Sequence, residues 1–467
     1  MFSPAYTGPT PTGTQLLALL AATHAFATST LAVAGPQAMT LDDVAHGYVE
    51  LTLAIGEHVP NYVDAYYGPE ETRAKVKAAG ADLATLARRA GDLVTAAEAV
   101  PRTAGGRDAE VLALRHEYLR RQLASATARI ELLRGRKMGF DEESRALYDA
   151  VAPRHDEAYF QARLDRVASV LASLPPAPGG SEPAAGGSLR DRVEALRARV
   201  TIPHDRIAVV FDRAIVECRG RSARYVALPA GEGFTVEQVS DKPWSGYNWY
   251  QGGYRSVIQV NVSLPIWIDR AIDLGCHEGY PGHHLYNALL EREFVRGRGW
   301  PEFQVYPLFS PQSLIAEGTA NYGIELAFPA EERLAFDRDV LFPMSGLDPA
   351  LAAPYARVRE LMDELSYAGN EAARRYLDGA IDAAAAADWL ERYTLVSPER
   401  AQQRVRFFDT YRSYVINYNL GQDLVRAHVE ARAAGGDPAT LAERKWRVFV
   451  ELISSPRLPS GLQSAPR

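Results

Sequence analysis

The chain is poor in cysteine, with two in 467 residues, Cys218 and Cys276. That is too few for a disulfide-built scaffold or for a zinc site made of thiolates, so the fold is expected to rest on packing. A basic surplus is also lacking. Lys and Arg total 51 against 58 Asp and Glu, a net charge of −7, which leaves nothing to neutralise a phosphate backbone and excludes nucleic acid as an expected partner. No stretch of about 18 residues is free of polar groups, so no membrane partner is expected. Charge is absent from the amino terminus, where the first charged side chain is Asp42 and the first Lys or Arg is Arg73. Leu16 to Ala34 is largely apolar and ends in Ala-Val-Ala like a signal-peptidase site, yet it has no positive flank and carries His24. Residues 1–40 therefore read as a leader or disordered segment ahead of a start near Met39. The protein reads as cytoplasmic, with secretion as the alternative.

What the chain does have is helical periodicity and, at 47% hydrophobic residues, enough apolar material for a large core. Between residues 41 and 66, Leu41, Val44, Tyr48, Leu51, Val59 and Tyr62 recur mainly at helical spacings, and residues 108–134 read as one long helix. The cluster Pro175 to Ser188, PPAPGGSEPAAGGS, reads as a flexible linker between an amino-terminal helical part, 41–174, and a catalytic helical part, 189–455. The tail 456–467 reads as disordered. A helix is expected near 203–219, a glycine- and aromatic-rich loop over Trp244 to Tyr254, and a single strand over Ser256 to Ser263.

The segment that carries chemistry is Ala271 to Leu290, AIDLGCHEGYPGHHLYNALL. His277, His283 and His284 fall close together, and Glu278 follows the first. Neutral imidazoles bind Zn2+, and an adjacent carboxylate can take a proton from the activated water. In an HExxH helix the second imidazole stands four residues on, but here that place is Pro281. On an unbroken helix His283 would lie about 9 Å along the axis from His277, and His284 about 10.5 Å. Pro281 removes a backbone donor and Gly282 has no Cβ, so a kink that returns one of the two histidines is expected. Both remain candidates for the second ligand. By contrast His116-Glu117, with Arg120 four residues on, reads as a solvated helix face.

A third ligand is expected within Ser313 to Phe328. On a helix Glu317 shares a face with Leu314, Ala320, Asn321 and Ile324, which sets a carboxylate on an apolar stripe where it must have a partner. A metal shared with the upstream imidazoles supplies one, giving the ligand set of thermolysin-type zinc hydrolases. Gly318 is expected to let those two helices approach closely. Tyr411, Tyr414 and Tyr418 form a stripe at helical spacing, and Tyr418 is the first choice for donating to an oxyanion. Arg406 or Arg412 could clamp a substrate carboxylate, and Asp273 could orient His277.

Taken together, HEGYPGHH, AEGTANY and INYNLG resemble the bacterial family known as domain of unknown function 885, over roughly residues 40 to 455. That family is similar in outline to helical zinc peptidases of the thimet oligopeptidase and carboxypeptidase Taq type. The resemblance implies a mainly α fold, a helical bowl with a deep cleft and a small β element, as in helical gluzincin metallopeptidases. It implies Zn2+ as cofactor, His277, His283 and Glu317 as ligands, and Glu278 as the base. The chain departs from the family at Thr319, where Trp is frequent. The expected function is a zinc-dependent hydrolase of amide bonds acting on short peptides or peptide-like small molecules. Two rivals stand beside it: a hydrolase or transferase that uses Cys276, and a non-catalytic helical binding protein with a vestigial site.

Overall fold

Thr40 starts the first helix. Its hydroxyl accepts the Asp43 N–H while the Asp43 carboxylate accepts the Thr40 N–H, a reciprocal cap that satisfies two donors at once. The helix Leu41–Gly56 follows, burying Val44, Tyr48, Leu51 and Ile55. The computed structural model describes residues 39–101, 105–106, 108–173, 187–242 and 244–463. The expected leader as far as Ala38, most of the linker at 175–188, and residues 464–467 lie outside them.

The protein is mainly helical with small sheets. The helix expected over 108–134 spans Ala109–Leu133, and the one near 203–219 spans Ile207–Ser222. Among the described residues five short strands interrupt the helices, where the sequence led us to expect one: β1 (Val63–Tyr66), β2 (Gly233–Val239), β3 (Gly246–Gly252), β4 (Arg255–Asn261) and β5 (Val305–Pro307). β1 pairs antiparallel with β5, while β2, β4 and β3 form a three-stranded sheet in that order, β2 parallel and β3 antiparallel to β4. Two sequence expectations change here. The helical pattern over 41–66 ends early because the chain turns after Gly56 and enters β1. The segment Trp244 to Tyr254 is not a loop but chiefly β3, with Asn248 and Tyr250 buried and Trp249 exposed in alternation. The turn from β3 to β4 is made by Gly252 and Gly253, at φ of 76° and 63°, which favour glycine.

The boundary expected at 175–188 does not separate two bodies, since residues from Met39 onward form one compact unit. Tyr118 donates to Gln312 Oε1 at 2.6 Å, and Ser125 donates to the Phe309 carbonyl at 3.1 Å. Both bonds tie the long amino-terminal helix to the start of the helix Pro311–Ala327. His116, expected on a solvated face, is buried, with Nε2 2.9 Å from the Ala97 carbonyl. The tail is ordered as far as described: Pro459–Gln463 is a short helix, and Leu458 and Leu462 are buried. Among the described residues no helix is long and apolar enough to cross a membrane.

Candidate metal centre

The chain approaches the site as the helix Asp269–Leu274, which widens into a π-turn over Gly275–Gly279 and then ends. The Gly282 N–H donates back to the Cys276 carbonyl at 3.0 Å. A Cβ on Gly282 would lie 1.8 Å from the His277 carbonyl oxygen, so any side chain there would push the returning chain away. The next helix, His283–Leu290, begins at once, its first turn closed by Tyr286 N–H to the Gly282 carbonyl.

This fold-back sets Nε2 of His277 and Nε2 of His283 3.1 Å apart. Glu317, from Pro311–Ala327, completes the group. Its Oε2 is 3.3 Å from His277 Nε2 and its Oε1 is 3.7 Å from His283 Nε2. His284 is turned elsewhere. It is fully buried, with Nδ1 2.9 Å from Ser256 Oγ on β4 and Nε2 3.0 Å from Glu232 Oε2. Of the two histidines open on the sequence, His283 joins His277 and Glu317.

The group has the size a tetrahedral ion requires. Ligand atoms about 2.0 to 2.1 Å from such an ion stand about 3.4 Å from one another; the imidazole nitrogens at 3.1 Å and the His277–Glu317 Oε2 pair at 3.3 Å are close to that value, while His283 meets the other carboxylate oxygen at 3.7 Å. Glu317 Oε2 is buried and receives no hydrogen bond among the described residues, which leaves a desolvated carboxylate oxygen in need of a cation. Two imidazoles and a carboxylate are the donors Zn2+ takes.

Neighbours hold each member in place. His277 Nδ1 is 2.9 Å from Asn321 Oδ1, and Asn321 Nδ2 donates to the Tyr418 carbonyl at 3.0 Å. Asn321, one turn beyond Glu317, is thus the residue that orients His277. Asp273 is not: its carboxylate accepts from Arg333 at 2.6 Å. Asn321 was visible on the sequence as a polar side chain on Glu317's apolar face, although its role was not. Tyr414 donates to Glu317 Oε1 at 2.9 Å. Tyr418 lies beside it, ring centroids 5.7 Å apart, with 40% of its surface exposed.

Gly318 does not serve the approach expected of it. It meets Gly421 of the helix Ile416–Ala433 instead, while Gly323 is where Pro281 packs against the Glu317 helix. β3 covers the other side. Asn248 Nδ2 donates to the Glu278 carbonyl at 2.7 Å, and a Cβ on Gly246 would stand 3.1 Å from Glu278 Oε1.

The electrostatics follow from burial among like and unlike charges. Burial pushes the Glu278 carboxyl up to about 7, with His277 opposing, and pulls His283 down to about 4. Burial would also raise Glu317, but its close pairing with His277 and the charges of both imidazoles hold it below its usual value. His277 is raised because Glu317 and Glu278 outweigh its burial. Burial, then Glu317 and Glu278, holds Tyr418 well above the usual phenol range.

Other expectations are corrected. Cys276 is no nucleophile, because it is bonded to Cys218 of the helix Ile207–Ser222, closing a separation of 58 residues. Arg412 donates to buried Glu143 at 2.6 Å and so has a structural partner, and Arg406 is exposed. Glu232 and Ser256, which divert His284, carry no local sequence signal, since they reach it from β4 and the start of β2.

No protein-family profile matches the chain, and no curated protein matches it. Solved structures similar to it include two described as lipoproteins. One, described as a "putative lipoprotein" from Colwellia psychrerythraea, has 16% identity over 79% of this chain and 69% of its own, with a TM-score of 0.47. The other, described as a "putative lipoprotein of unknown function" from Shewanella oneidensis, has 12% identity over 89% and 87%, with a TM-score of 0.42. The expected membership of the domain of unknown function 885 family, and with it the likeness to thimet oligopeptidase and carboxypeptidase Taq-type peptidases, is therefore corrected: no family profile matches the chain.

Proposed function

We propose that the protein is a zinc-dependent hydrolase of amide bonds, acting on short peptides or peptide-like small molecules. The observation that carries this reading is the convergence of His277, His283 and Glu317, with the two imidazole nitrogens 3.1 Å apart, Glu317 Oε2 3.3 Å from His277 and Oε1 3.7 Å from His283, and Oε2 buried and without a hydrogen bond among the described residues. Zn2+ held there supplies a Lewis acid for the substrate carbonyl and for water. Glu278 follows His277 directly and is left outside that group. Its carboxylate takes the proton of the attacking water and hands it to the leaving amine. Tyr418, kept protonated by burial and by the charges of Glu317 and Glu278, donates to the carbonyl oxygen as negative charge gathers there. Tyr414 and Asn321 keep Glu317 and His277 from turning away.

The bond between Cys218 and Cys276 fits an oxidising compartment better than the cytoplasm. Metal analysis of the purified chain, paired with cleavage of a quenched-fluorescent peptide mixture, tests the reading. The expected result is about one zinc per chain and cleavage that EDTA abolishes and added Zn2+ restores. A chain without stoichiometric zinc, or cleavage indifferent to EDTA, overturns it.

A further inference from the structure

One face of the helix Pro398–Tyr411 runs out from the candidate metal centre and carries positive charge that the proposed chemistry does not use. Arg400, Arg404, Phe407 and Tyr411 recur at intervals of four, three and four residues, so they share that face. Its aromatic end reaches the site: Phe407 and Tyr411 lie 6.5 and 6.0 Å from Tyr414 between ring centroids, and Tyr414 donates to Glu317 at 2.9 Å. Its other end meets the segment that leads to the histidines. The Arg400 guanidinium stands 5.1 Å over the Trp267 ring, the Arg270 N–H donates to the Trp267 carbonyl at 3.0 Å, and the helix Asp269–Leu274 runs on from there to His277. The Arg270 side chain donates to Ser245 Oγ at 3.1 Å, beside Gly246, where a Cβ would stand 3.1 Å from Glu278 Oε1. The arginine face is thus tied at both ends to elements that build the site.

Among the described residues neither Arg400 nor Arg404 forms an ion pair with an Asp or Glu, in a chain whose acids outnumber its Lys and Arg by 58 to 51. Arg197 stands over the same Trp267 ring at 4.3 Å, so a third guanidinium lies close by, this one paired with Glu194 at 2.8 Å. Arg404 keeps an exposed surface, yet desolvation, then the charges of Arg400 and Arg197, holds its guanidinium below the usual value. Arginines gathered without acids call for an anion, and a guanidinium grips a carboxylate with a fork of two hydrogen bonds. We propose that Arg404, with Arg400 one turn before it, binds a carboxylate of the substrate, so that the site takes peptides or peptide-like amides with a free carboxylate to one side of the scissile bond. Arg404 and Tyr411 are separated by about 10.5 Å along the helix axis, and an extended chain covers about 3.3 to 3.6 Å per residue, so that carboxylate belongs about three residues from the bond that is cut.

The inference rests on the amide-hydrolase reading for its substrate class, and its test fails separately. N-acetyl-tetraalanine and its carboxyl-terminal amide are titrated by calorimetry, with Zn2+ present, into full-length Glu278→Gln, chosen so that neither probe is consumed. The same titrations are made after adding Arg404→Gln or Arg406→Gln, with a melting curve for each protein. The free acid is expected to bind at least about tenfold more tightly than the amide, as a charge-assisted hydrogen bond is worth. Arg404→Gln is expected to remove that ratio, and Arg406→Gln, on the opposite side of the helix, to keep it. Equal affinity for acid and amide before either arginine is changed overturns the proposal whatever the variants do. A ratio that survives in folded Arg404→Gln, or that Arg406→Gln removes as fully, also overturns it. The amide with glutamate as its last residue tells the source of the carboxylate: binding as tight as that of the free acid admits acidic side chains, and binding no tighter than that of the plain amide confines the site to a chain terminus. Failure of the hydrolase reading looks different: the unaltered protein takes up no zinc and cleaves no peptide, while an Arg404-dependent ratio still establishes the carboxylate site.

Discussion

Gly318 and Gly421 meet backbone to backbone. A Cβ on Gly318 would lie 2.4 Å from the Gly421 carbonyl carbon, and one on Gly421 would lie 2.7 Å from the Leu314 carbonyl oxygen. This contact seats the helix that carries Tyr418 against the helix that carries Glu317, and a 3₁₀ turn over Arg412–Val415 leads into it with Tyr414. Gly318→Ala must force the two apart. It is expected to cost roughly 1 to 3 kcal/mol, as overpacked cores do. It should also lower turnover by moving Tyr414 and Tyr418. Chemical denaturation and peptide cleavage measure the two effects, and an unchanged midpoint would show that the helices yield freely.

Glu317→Ala and His284→Ala separate a ligand from its neighbour in the motif. The first should abolish stoichiometric zinc, because it removes a carboxylate from a three-residue group. The second should retain zinc and lose stability, because it leaves Glu232 and Ser256 without their buried partner. Metal content after exhaustive dialysis, beside a melting curve, distinguishes them. Zinc lost by His284→Ala and kept by Glu317→Ala would reverse the assignment.

Asn321→Ala frees the His277 ring without touching the donor atoms. Outer partners of this kind are worth about 10- to 100-fold in metal affinity. Competition with a chromogenic chelator reads the change, and an affinity equal to that of the unaltered protein would remove Asn321 from the site.

Glu278→Gln keeps the shape of the carboxylate and removes its basicity. It should bind zinc normally and lose about 10²- to 10⁴-fold in kcat, the usual worth of a positioned base. Full activity in this variant would end the role given to Glu278.

Glu232 sets an acid limit on stability. Burial would raise its carboxyl, but hydrogen bonds from His284, Tyr280 and Arg219 overcome that and hold it down to about 2, against an ordinary 4.5. A value lower in the folded chain than in the unfolded one stabilises the fold above about pH 4.5, and the benefit is lost as pH falls towards 2. The shift corresponds to something on the order of 3 kcal/mol. Urea midpoints between pH 5 and 2 should therefore fall less steeply in Glu232→Gln than in the unaltered protein. Parallel curves would contradict the linkage.

The elements that the sequence announced are those whose pattern is local and long. Ala109–Leu133 and Pro311–Ala327 repeat apolar positions over many turns, and 3.6-residue periodicity is legible without knowing what covers it. β1 was missed because it is only four residues long, and β3, as long as the expected β4, for its composition. β1 pairs only with β5, from a distant part of the chain, and β3 carries polar and glycine residues that read as a loop. The cysteines were misjudged for the same reason. Two thiols give no sign on a sequence that the packing of one helix on another will bring their Cα atoms to 5.4 Å.

For the site, the sequence by itself determined the chemistry available: imidazoles and carboxylates in one short segment, a break at Pro281 and Gly282, and an acid on an apolar helical face. Those properties belong to single residues and to neighbours along the chain, so spacing reveals them. It took the packed chain to settle which histidine turns inward, that Asn321 and not Asp273 steadies His277, and that Cys276 is bonded to Cys218. Each of those choices depends on a hydrogen-bond partner, a charge or a thiol brought in by another element, and the free energy that selects it arises only when that element packs in place.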